Sequence, residues 1–93
     1  MPPGPAVLHV AGEVLVNSPG HRAVLTIKEP QGSNPEILLL DLTVLPLEGF
    51  HSQVLTWVVV RFELVLGPHR RYEQVQIIDA NGRETTVDVE DVH

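Results

Sequence analysis

Apolar residues in this chain recur at every second position, in runs that Pro, Gly, Asn and Ser interrupt at intervals of roughly 10 to 15 residues. A period of two is the signature of pleated strands, whose side chains alternate between faces; a helix would need spacing near 3.6. The first run, Val7 to Val16, sets Leu8, Val10, Gly12, Val14 and Val16 on one side and His9, Glu13 and Asn17 on the other. Such a strand has one buried face and one wet face. Gly12 leaves a gap in the inward row, where a bulge or a bend is expected, so this run could divide into two strands.

Asn17 to Gly20 supplies turn residues, and the next run, Arg22 to Lys28, points Ala23, Leu25 and Ile27 inward; a hairpin with the first run is expected. Glu29 to Pro35 holds two prolines, a glycine, a serine and an asparagine and reads as a loop. The third run, Glu36 to Leu45, carries Leu38, Leu40, Leu42 and Val44 on one face, with Ile37 and Leu39 apolar on the other. The longer connection from Leu45 to Gln53 is expected to cross between sheets, with Phe50 as a lid on the core. The fourth run, Val54 to Leu66, is two-sided in its first half, where Leu55, Trp57 and Val59 precede Arg61 and Glu63.

Two last runs, Tyr72 to Asp79 and Glu84 to Val89, flank Asp79-Ala80-Asn81-Gly82, a strong hairpin signal. A two-residue Asn-Gly turn would set Val75 against Asp88 and Gln76 against Val87, mixing apolar with polar. A three-residue loop with Gly82 left-handed in a G1 bulge pairs Ile77 with Thr85, Val75 with Val87 and Glu73 with Val89, and the apolar rows then meet.

These runs imply an all-β chain, a small antiparallel β-sandwich of six to seven strands, Ig-like in size, with a small closed β-barrel as the alternative. Antiparallel pairing is expected because no connection is long enough for a helical crossover. At 93 residues, 43% of them hydrophobic, the chain can fill one core, and residues 6–91 are expected to form a single domain behind a flexible Pro-rich segment, 1–5. With no cysteine, packing alone must hold it together. The lack of cysteine fits a reducing cytoplasm without excluding a mature secreted domain.

A net charge of −6 repels phosphate backbones, so nucleic acid is not an expected partner. No apolar stretch approaches the roughly 20 residues needed to cross a bilayer, and the start lacks a signal peptide's pattern. Membrane insertion is not expected either. Five histidines, at 9, 21, 51, 69 and 93, lack metal-ligand spacing. Ser18 near His21 and Ser52 beside His51 lack an orienting carboxylate or a nucleophile-elbow motif. No catalytic residue, metal or cofactor is therefore expected.

Two surfaces remain. The apolar excess on the outer faces, Ile37, Leu39, Leu55, Trp57 and Val59, would form one patch if the third and fourth runs lay side by side. Covering it with another protein or a second copy gives a non-enzymatic interaction or assembly module. Alternatively, exposed loops bearing Phe50, His51, His69, Arg70 and Arg71 bind a ligand or an enzyme, in the manner of an inhibitor.

Overall fold

The computed structural model describes residues 6–46, 49, 53–67 and 71–90. Among them are six strands and no helix: β1 (Val7–Val16), β2 (His21–Ile27), β3 (Ile37–Pro46), β4 (Thr56–Val65), β5 (Gln74–Ile78) and β6 (Glu84–Asp88). They form two sheets, a two-stranded one of β1 and β4 and a four-stranded one in the order β2-β3-β5-β6. No closed barrel is present among the described residues. Alternation marks the strands correctly; which strand pairs with which is a separate matter.

Three expectations are corrected. β1 and β2 do not form a hairpin: β1 pairs antiparallel with β4 along ten residues, from Val7 opposite Val65 to Val16 opposite Thr56. A long strand with four inward apolar residues thereby meets one of equal length carrying Val58, Val60, Phe62 and Leu64. The turn between β1 and β2 is instead a corner between sheets, with Ser18 buried and its hydroxyl accepting the Gly20 N–H at 3.2 Å. Second, pairing is not wholly antiparallel, because β3 and β5 run parallel, Ile37 opposite Gln74 through Asp41 opposite Ile78. β4, lodged in the other sheet, carries the crossover that a helix would otherwise supply. Third, Gly12 makes no bulge and does not divide its strand. It pairs in unbroken register with Val60, and a Cβ built on it meets nothing within 4 Å.

The last hairpin takes the register its apolar rows demand, with Val75 opposite Val87 and Ile77 opposite Thr85. Gly82 has φ +82°, the left-handed conformation that glycine adopts without steric cost. Asp79 closes this turn: its carboxylate accepts the Asn81 and Arg83 N–H groups, both at 2.9 Å. On the outer side, Gln74 and Gln76 donate to Asp88 and Glu84, each at 3.0 Å. The charged β6 thus borders the four-stranded sheet, where charge discourages adventitious pairing.

Both sheets contribute to one hydrophobic cluster: Leu8 from β1, Val60 from β4, and Leu25, Leu38, Leu40 and Val75 from the larger sheet. Leu38 and Leu40, in the first half of β3, are its most enclosed members. Where β2 ends, the Gln31 side chain continues the ladder. Its amide donates to the Leu39 and Lys28 carbonyls at 2.8 and 2.7 Å, and its oxygen accepts the Leu39 N–H at 2.8 Å.

Candidate interaction surface

Pairing of β1 with β4 puts the odd-numbered residues of both strands on the outer face of the small sheet. Leu15 stands opposite Trp57, Glu13 opposite Val59, Ala11 opposite Arg61, His9 opposite Glu63 and Val7 opposite Val65. Apolar pairs therefore occupy the two ends, and each of the three pairs between them carries at least one charged or polar side chain. At one end Leu15, Trp57 and Val59 are 47%, 62% and 58% exposed, and Leu55, just before β4, is 65% exposed. In the middle, His9 Nδ1 lies 3.3 Å from a Glu63 carboxylate oxygen, both side chains well exposed. A contact this open contributes little to stability.

The expected patch is thereby split and redrawn. Ile37 and Leu39 lie on β3 in the other sheet, not beside β4, because β3 takes β2 and β5 as neighbours. Both are half-buried, and Leu39 is bordered by its own loop: a Cβ on Gly32 would stand 3.4 Å from Leu39 Cδ1. Leu55, Trp57 and Val59 stay together on one exposed face. Leu15 joins them, a residue whose outward row in β1 also holds Val7, His9, Ala11 and Glu13. Only the pairing with β4, which sets Trp57 opposite, reveals it.

Of the loop residues, Phe50, His51, His69 and Arg70 lie outside the described residues. Arg71 is exposed and borders an open depression of 620 Å³ with Glu36, Tyr72, Glu73, Gln74, Asp88 and Val89. Three carboxylates and one guanidinium give that depression a mixed lining without an evident nucleophile. Ser18 and His21 do meet. The imidazole Nδ1 lies 2.9 Å from the hydroxyl and 3.3 Å from the Ser18 carbonyl, an oxygen that can only accept. Both contacts tie His21 to the turn at the corner between the sheets. Among the described residues no three His, Asp or Glu side chains converge to hold a metal ion, and no helix is long and apolar enough to cross a membrane.

Few side chains are enclosed for so apolar a composition: seven hydrophobic residues are buried among those described, and of these Leu38 and Leu40 most fully. Compared with protein-family models, curated proteins and solved structures, the chain matches none.

Proposed function

We propose that this chain is a non-enzymatic protein-interaction or assembly module, a small and incomplete β-sandwich whose contact surface is the outer face of β1 and β4. The observation that carries this reading is the cluster of Leu15, Leu55, Trp57 and Val59, each about half exposed or more on one face. Singly exposed apolar residues are ordinary; four together around a tryptophan are the composition of an interface anchor.

Trp57→Glu tests it. The side chain is largely outside the core, so the variant is expected to keep its circular dichroism and melting temperature while losing at least tenfold in association, measured by light scattering across a concentration series. Unchanged association with an intact fold removes this face as the contact surface.

A further inference from the structure

The outer face has a border that the β1–β4 pairing leaves open. The Ala6 carbonyl accepts the Leu66 N–H at 2.8 Å, which fixes the direction of every later group on β1, since hydrogen-bonded and non-bonded pairs alternate along an antiparallel ladder. Residues 8, 10, 12, 14 and 16 address β4. Val7, His9, Ala11, Glu13 and Leu15 turn their N–H and C=O groups to the other side, where β1 has no strand neighbour among the described residues. β4, by contrast, also has β2 of the other sheet as a near neighbour.

We infer that β1 pairs antiparallel with β1 of a second copy about a two-fold axis at Ala11, joining the two small sheets into one sheet ordered β4-β1-β1-β4. This rests on the proposed outer-face reading and names the occupant of its open border. The register argues for the second copy. With Ala11 on the axis, Val7 meets Leu15 of the other copy, His9 meets Glu13, and Leu8 meets Val14. Apolar residues face apolar ones, and each imidazole faces a carboxylate. A shift to an axis at Val10 sets Val7 against Glu13 and His9 against Ala11. An axis at Gly12 sets His9 against Leu15 and Ala11 against Glu13. Only the Ala11 register satisfies every outward pair, and it also uses the strand from end to end.

Three further features fit. The outward-turned backbone groups of Val7, His9, Ala11, Glu13 and Leu15 would all become paired, about ten hydrogen bonds in the joined ladder. No proline and no lysine guards this border, whereas the border at β6 carries Glu84 and Asp88. The axis also brings the two apolar ends of the outer face into line. Trp57 and Leu15 of one copy continue into Val7 and Val65 of the other, so two short exposed pairs become one apolar row four residues wide. Like most homodimer contacts, this one is isologous, each strand serving as the other's complement.

Ala11→Glu is the test, because its environment separates folding from pairing. Within one chain the new carboxylate lies opposite Arg61, a favourable neighbour. Across the axis it meets its own copy, and like charges directly opposite are destabilising. Ala11→Gln has the same size without the charge. The measurements are sedimentation equilibrium from micromolar to millimolar chain and amide hydrogen exchange by NMR. The expected result is a dimer that Ala11→Glu weakens at least tenfold and Ala11→Gln changes less than threefold. The amides of residues 7, 9, 11, 13 and 15 should exchange more slowly in the dimer than in the Ala11→Glu variant. A wild-type chain that stays monomeric at millimolar concentration overturns the self-pairing and self-association through the outer face together. A dimer indifferent to Ala11→Glu but broken by Trp57→Glu also overturns it, and places the contact on the face instead of the edge.

Discussion

Gln31 is the residue whose replacement reports most directly on how the β2–β3 end of the fold is closed. Its amide makes three hydrogen bonds, two donated to the Lys28 and Leu39 carbonyls and one accepted from the Leu39 N–H, all between 2.7 and 2.8 Å. The Leu39 carbonyl keeps a second partner in the Lys28 N–H at 3.1 Å, so Gln31→Ala chiefly orphans the Leu39 N–H and the Lys28 carbonyl. At about 0.5 to 1.5 kcal/mol per bond, with water reaching part of the site, the loss should be about 2 to 3 kcal/mol. Gln31→Glu sharpens the test. One of its oxygens still accepts from Leu39, but the other replaces a donor and faces two carbonyl oxygens, which disfavours the ionised form. The carboxyl pKa of the folded variant therefore rises above its unfolded value of about 4.3. The stability tied to its proton is fully present below that unfolded value and is lost as pH rises through the folded one. Gln31→Glu should thus lie close to wild type near pH 4 and fall below Gln31→Ala at pH 7. The assay is urea unfolding followed by far-ultraviolet circular dichroism, since the exposed Trp57 is a poor reporter of the core. With a slope near 1 kcal/mol per molar urea for so small a chain, the Gln31→Ala midpoint should drop by about 2 to 3 M. A drop under about 0.3 M, or a Gln31→Glu loss equal at both pH values, would refute the reasoning.

Other perturbations separate core, strand and turn. Leu40, with 0% exposure, should cost about 2 to 5 kcal/mol when cut to alanine, measured in the same urea assay. Gly12→Ala should stabilise by about 0.4 to 1 kcal/mol, because the strand backbone accepts a Cβ and the unfolded chain loses freedom; a bulge or close approach there would reverse the sign. Gly82→Ala, by contrast, should lower stability by about 1 kcal/mol, since φ +82° is strained for any side chain, and a calorimetric melting temperature suffices to see it.

Local features of this fold were legible in the sequence and distant ones were not, for a physical reason. The β5–β6 register follows from apolar rows only a few residues apart and from a glycine that must turn left-handed, so nothing beyond the hairpin is needed to fix it. The partner of β1 lies some fifty residues away, and alternation says which face a side chain takes without saying which strand lies beside it. That is why β1 and β2, neighbours in sequence joined by a turn, look like a hairpin. It is also why a parallel β3–β5 pair, reached through a strand of the other sheet, escapes an argument that allows crossovers only to helices. The candidate surface divides the same way. Leu55, Trp57 and Val59 are conspicuous because three apolar residues share one outward row. Ile37 and Leu39 look equivalent, yet Leu39 is held by the Gln31 amide and bordered by Gly32, and only the loop's path reveals that. Leu15 is invisible in a row with Val7, His9, Ala11 and Glu13 until Trp57 stands opposite.

The central claim, that the outer face of β1 and β4 is an assembly surface, is tested most directly by light scattering on wild-type chain and Trp57→Glu side by side, over a concentration series. The account predicts a wild-type mass that rises with concentration and a variant that stays at the monomer mass at least tenfold further up the series, with identical circular dichroism. Superimposable mass curves for two well-folded chains would contradict it.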